Sequence, residues 1–74
     1  MSLTTSYKGV TYDVLSVLNE DACELKALTN GHQGGWDVEV IWEDNLDHPE
    51  TFHGDRLDEA LTTAAEVRIK RTWN

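Results

Sequence analysis

Asp47, His48, Glu50 and His53 fall within one short stretch, with His32 upstream, and imidazole and carboxylate are the groups that hold divalent zinc or relay protons. Zinc takes about four ligands in fixed geometry, usually supplied by closely spaced pairs. His48 and His53 sit five positions apart, across what reads as a loop running into a strand, and no pair of cysteines accompanies them. Solvated surface histidines are the simpler expectation. Residues 44–55 lack the central glycine and the alternating oxygen ligands of a calcium loop. Cys23 beside a histidine is the chemistry of a nucleophile pair, yet 74 residues leave little room for a concave pocket as well as a core. Gly31, Gly34 and Gly35 are not followed by the Lys-Ser/Thr of a phosphate loop, and a strand rather than a helix comes next. The pattern therefore predicts a non-enzymatic chain with no catalytic residue, no bound metal and no cofactor.

Charge is the more informative chemistry. The formal net charge is −8, and it is unevenly placed. Asp37, Glu39, Glu43, Asp44, Asp47, Glu50, Asp55, Asp58 and Glu59 face one base, Arg56. Elsewhere Asp13, Glu20, Asp21, Glu24 and Glu66 are matched by Lys8, Lys26, Arg68, Lys70 and Arg71. All of the excess lies in one third of the chain. Affinity for phosphates comes largely from lysine and arginine displacing counterions, so this balance opposes direct nucleic-acid binding. Arg68, Lys70 and Arg71 are accounted for as complements to the negative end of a helix. An acidic surface keeps a small protein soluble, which is sufficient reason for many such surfaces. Concentrated on one side, it also repels itself, and a basic partner relieves that repulsion while long-range attraction speeds the encounter. Asp37, Glu39, Glu43, Asp44, Asp47 and Glu50 are the candidate partner-binding residues, and the matching partner is a basic nucleic-acid-binding protein or complex.

The elements that must position these residues start from Trp36-Asp37-Val38-Glu39-Val40-Ile41-Trp42, where apolar and acidic side chains alternate with a period of two. Trp36, Val38, Val40 and Trp42 share the inward face of a half-buried strand, with Asp37, Glu39 and Glu43 largely opposite. The acidic connection 43–49 and the arm Glu50-Thr51-Phe52-His53, with Phe52 inward, complete a hairpin. A helix then opens at Asp55 as N-cap, with Asp58 three residues on and Leu57, Ala60, Leu61, Ala64 and Ala65 at helical spacing. Val67, Ile69 and Trp73 alternate and admit a short terminal strand as an alternative. Toward the start, residues 1–6 look frayed and Tyr7-Lys8-Gly9-Val10-Thr11-Tyr12 reads as a strand or hairpin arm with Gly9 as a kink or turn.

Residues 13–29 support two readings. In one, Asp13 caps a helix with Leu15, Leu18, Ala22, Leu25 and Thr29 as its stripe, closed by Asn30-Gly31. In the other, strands 12–18 and 22–29 form a hairpin through Asn19-Glu20-Asp21. Asn30 to Gly35 is a glycine-rich loop. The expected fold is α+β: one domain over residues 1–74, a small antiparallel sheet packed against the C-terminal helix, with a second helix within 13–29 as the first of the two readings. Cys23 cannot form an internal disulfide and reads as a small buried or half-buried hydrophobe, with cross-linking of two copies as the alternative. The start carries no signal-peptide pattern and no run approaches the roughly 18 apolar residues of a membrane span, which together point to a cytoplasmic protein without a membrane partner.

A strand, an acidic connection and Leu57-Asp58-Glu59-Ala60-Leu61 opening a helix resemble the small acidic inhibitors made by bacteriophages, such as the host RNA polymerase inhibitor of T7-like phages and several anti-CRISPR proteins. The resemblance covers about a third of the chain. It implies a non-enzymatic inhibitor, cytoplasmic in the host cell, that acts as a nucleic-acid mimic on the basic groove of a partner complex. The alternative expectation is a homodimeric or accessory interaction subunit that uses an apolar interface.

Overall fold

The computed structural model describes residues 2–30 and 34–73. Strands β1 (Thr4–Tyr7) and β2 (Val10–Asp13) form an antiparallel hairpin in which Tyr7 lies opposite Val10. The two residues between them, Lys8 and Gly9, both have positive φ, 52° and 78°. That is the turn whose twist suits a two-residue hairpin. Gly9 thus serves as a turn residue, as its type suggests. The expectation that residues 1–6 fray is corrected from Leu3 onward; Met1 lies outside the described residues. Thr4 to Tyr7 are paired, the Leu3 carbonyl accepts from the Val14 amide at 2.9 Å, and Thr5 Oγ1 donates to Glu66 Oε1 at 2.9 Å.

Residues 13–29 turn out to be neither of the two expected structures but half of each. Asp13 caps helix α1 (Val14–Asp21) by accepting from the Ser16 amide at 3.0 Å, and Val14, Val17 and Leu18 point inward at helical spacing. The helix stops at Ala22, which is extended, and the chain continues as β3 (Ala22–Thr29). The long stripe fails because Leu15 and Leu25 stand exposed and have nothing to pack against on one helix face. The 12–18 strand fails because its valines and leucine follow a helical period. The alanines, glutamate and lysine of β3 are weak strand formers. They are held extended because β4 (Trp36–Trp42) has a free side to its backbone, and β3 fills it in register from Ala22 opposite Trp42 to Thr29 opposite Trp36. A bulge at Cys23 interrupts that register, and Cys23 is exposed, which corrects its expected burial. The expected cap at Asn30-Gly31 fails at Asn30, where the helix has already ended; Gly31 itself, with His32 and Gln33, lies outside the described residues.

β5 (Glu50–Gly54) returns antiparallel beside β4, so the three-stranded sheet has the order β3-β4-β5. Val38, Val40 and Trp42 are buried on one face, Phe52 lies 9% exposed beside them, and Trp36 is half-buried. Helix α2 (Leu57–Arg68) covers this face through Ala60, Ala64 and Ala65, which are fully buried. Small side chains allow that close approach, and Trp42 with α1's Val14, Val17 and Leu18 fills the remaining space. The fold is α+β, with a two-stranded and a three-stranded antiparallel sheet packed with the C-terminal helix and a second helix.

One expectation about α2 is corrected, and one alternative is not taken up. Its N-cap is Arg56, extended and without a side-chain cap bond, not Asp55. The reason is Gly54: a Cβ there would lie 2.5 Å from the Ala60 amide nitrogen and 2.8 Å from the Glu59 Cβ. The first turn of α2 rests directly on this glycine, so the chain uses Asp55 and Arg56 to climb from sheet to helix. At the other end Val67, Ile69 and Trp73 do not take the alternative of a short strand. The helix widens into a π-turn (Ile69–Trp73), with Ile69 fully buried. Gly54→Ala is expected to lower unfolding free energy by about 1–3 kcal/mol, since it inserts a methyl group against backbone atoms, and urea denaturation measures it.

Candidate functional site

Among the acids, position in the strand decides the environment. Glu50 has the same parity as Phe52 and therefore points to the helix side. There Arg71 grips both of its oxygens, Nη2 to Oε2 at 3.0 Å, and Trp42 Nε1 donates to Oε1 at 2.8 Å. Asp44, in the turn after β4, receives both Nη1 and Nη2 of Arg68, at 3.0 and 3.1 Å. The Arg68 guanidinium is buried. Its Nε donates to Asp21 Oδ2 at 2.7 Å, and its plane lies over the Trp42 ring with 5.1 Å to the centroid. Asp21 Oδ2 also accepts from Trp73 Nε1 at 2.6 Å. Arg68 and Trp73 are five residues apart, the spacing that a π-turn brings onto one face. Hydrogen bonds from Arg68 hold the Asp44 carboxyl below its ordinary pKa, and those from Arg71 do the same for Glu50.

Asp37 is on the opposite, outer face of the sheet and is also engaged. Its Oδ1 lies 2.8 Å from His53 Nδ1 and its Oδ2 accepts from Asn30 Nδ2 at 3.2 Å. Of the six candidate residues, then, Asp37, Asp44 and Glu50 are already bound within the chain, two of them by arginines. Glu39, Glu43 and Asp47 have no ion pair or hydrogen-bonded side-chain partner among the described residues. Glu39 occupies the middle of β4, between Lys26 of β3 and Thr51 of β5. Glu43 continues the same alternation one residue beyond the strand and is exposed, as is Asp47 in the following turn. The expected single acidic wall is thereby split across two sides of the sheet.

The outer face collects what remains. No helix covers it, and across β3, β4 and β5 it carries Glu24, Lys26 and Leu28, then Asp37, Glu39 and Ile41, then Thr51 and His53. Glu24 is the acid that sequence reasoning left out, because its place beside Ile41 depends on residues 22–29 being a strand. Among the described residues, Lys26 is the only lysine or arginine on this face. The other free lysines lie elsewhere: Lys8 Nζ and Lys70 Nζ approach the Tyr7 ring, at 5.4 and 6.0 Å from its centroid.

Metal-ligand clusters are absent among the described residues. No three His, Cys, Asp or Glu side chains come together there as ligands would, and His32 lies outside that set. His53 has Asp37 as its partner, with no hydroxyl or thiol hydrogen-bonded to it. An open depression of about 260 Å³ is lined by Leu3, Asp58, Glu59, Thr62 and Thr63, which supply no nucleophile paired with a base. No helix among the described residues is long and apolar enough to cross a membrane. No family model, curated protein or solved structure matches the chain.

The two depressed carboxylates set a pH dependence. Asp44 and Glu50 each bind a proton less readily folded than unfolded, so the stability they contribute is complete above the ordinary carboxylate range. It is lost as pH falls through that range toward their lower folded values. Thermal melts are expected to hold steady from about pH 7 to 5 and then drop between about pH 5 and 3, and Asp44→Asn with Glu50→Gln should flatten part of that drop.

Proposed function

We propose that the chain is a non-enzymatic protein-binding inhibitor that presents the outer face of its three-stranded sheet to the basic, nucleic-acid-binding groove of a partner complex, as a phage anti-host or anti-CRISPR factor would. The observation that carries this reading is the uncovered sheet face on which Glu24, Glu39 and Glu43 stand with Lys26 as the one lysine or arginine. The arginines offer these acids no relief. Arg68 and Arg71 are directed to the helix side and Arg56 pairs with Asp58 at 3.3 Å. An acidic face with Lys26 as its one lysine or arginine among the described residues attracts a basic groove over a Debye length, about 8–10 Å at physiological salt, and competes there with the phosphates of a nucleic acid. The binding residues narrow to Glu39, Glu43 and Asp47. Asp37 lies on the same face in its bond to His53, while Asp44 and Glu50 serve the fold.

A second reading, an interaction subunit joined through an apolar interface, is favoured by Leu25 and Leu28 of β3, which are 41% and 50% exposed. Salt separates the two. Immobilised chain is expected to retain nucleic-acid-binding proteins from a nuclease-treated bacterial lysate at about 50 mM salt and to release them by about 500 mM. The triple variant Glu39→Lys, Glu43→Lys, Asp47→Lys is expected to retain none of them. Capture that survives both high salt and the triple reversal contradicts the acidic reading and favours the apolar one.

A further inference from the structure

The edge of the sheet formed by β3 is open, and its backbone parity is fixed by one bond. The Asn30 amide donates to the Gly35 carbonyl at 3.0 Å, in the same register that places Thr29 opposite Trp36. In an antiparallel ladder, hydrogen-bonded pairs alternate with non-bonded ones. The even-numbered residues of β3 from Glu24 onward therefore bond to β4, and Leu25, Ala27 and Thr29 turn their N–H and C=O groups outward. Every residue from Cys23 to Thr29 is exposed. β5, the opposite edge, is five residues long and follows Pro49, which has no amide to donate.

We infer that β3 pairs with β3 of a second copy of this chain, antiparallel about a two-fold axis at Leu25, to give one continuous six-stranded sheet. This rests on the second reading above and names its partner. Charge selects the register. With the axis at Leu25, Glu24 of each copy faces Lys26 of the other, so two opposite-charge pairs form on the outer face. Leu25 meets its own counterpart on the helix side, beside Val40. An axis at Lys26 sets two lysines against each other. An axis at Ala27 leaves Lys26 opposite Leu28 and Glu24 opposite Asn30. All three axes satisfy the outward backbone groups, and only the first satisfies the side chains. A lysine on an edge strand ordinarily discourages pairing. Two residues from a glutamate on the same face, it becomes half of a self-complementary pair, as a two-fold interface requires. The outer faces of the two copies then join, bringing Glu39 and Glu43 from each onto one surface.

Sedimentation velocity on the full chain over a concentration series, with far-UV circular dichroism to verify folding, tests the association. Glu24→Lys and Lys26→Glu are each expected to weaken the dimer about tenfold, because each sets like charges opposite one another twice, and the double variant is expected to restore it. The register is tested by oxidation in a Cys23→Ser background. Leu25→Cys places two thiols in a hydrogen-bonded pair, about 5.5 Å apart at Cα and within disulfide reach, so a covalent dimer is expected. Leu28→Cys, far from its counterpart in this register, is expected to stay monomeric. A dimer that ignores the charge swaps and gives no cross-link with Leu25→Cys overturns β3 pairing while leaving an apolar interface elsewhere on the chain. A folded chain that is monomeric throughout overturns self-association itself.

Discussion

The guanidinium of Arg68 joins parts of the chain that are distant in sequence: the end of α1 through Asp21, the turn after β4 through Asp44, and β4 itself through the face of Trp42. A charge this well buried is unfavourable unless carboxylates and hydrogen bonds compensate it. Those partners consequently matter to the fold, and through them α2 is tied to the end of α1 and to the turn between β4 and β5. The Glu43 amide bonded to the Asp21 carbonyl at 2.9 Å and the Trp73 indole bonded to the Asp21 carboxylate reinforce the same junction. A core of this size leans on such a junction, since a domain of about 60–80 residues buries too little apolar surface for wide margins.

The same interaction shapes which acids the surface leaves without a counter-charge. With six bases against fourteen acids, the placement of the bases determines which acids remain available. Arg68 and Arg71 are both on the helix side, where they hold Asp21, Asp44 and Glu50. Lys8 and Lys70 gather around Tyr7. The sheet's outer face is left with Glu24, Glu39 and Glu43 against Lys26, and Asp37 held by His53 and Asn30. Stability and the proposed recognition thus use separate acids drawn from what the sequence presents as one block.

Most of the fold is legible in the residues. Alternation in Trp36–Trp42, Phe52 pointing inward, the alanine stripe of α2 and Asp13 as a helix cap are all read from period and cap chemistry, and each recurs in the structure. The change from helix to strand at Ala22 was not legible, because nothing local marks it. The strand exists to pair with β4, a tertiary demand that overrides weak propensity. The start of α2 was displaced by a glycine contact that sequence cannot show. In the site, two signals were available and pointed correctly. Glu50 has Phe52's parity, and Arg68 extends the inward spacing of Leu61, Ala64 and Ala65. Together they mark Glu50 and one arginine as inward-facing; they do not single out Asp44, held by Arg68 from a turn, or Asp37, held by His53 and Asn30. Glu24 had no such signal, since its neighbours depended on the unsettled segment.

Equilibrium unfolding of Arg68→Ala beside Arg71→Ala tests most directly whether one buried cation organises the chain. Removing Arg68 strands Asp21 near the interior and is expected to cost about 3–5 kcal/mol. Removing Arg71, whose pair with Glu50 is half exposed, is expected to cost about 1 kcal/mol or less. Equal and small losses in the two variants would contradict the account, because Arg68 would then be one more surface charge.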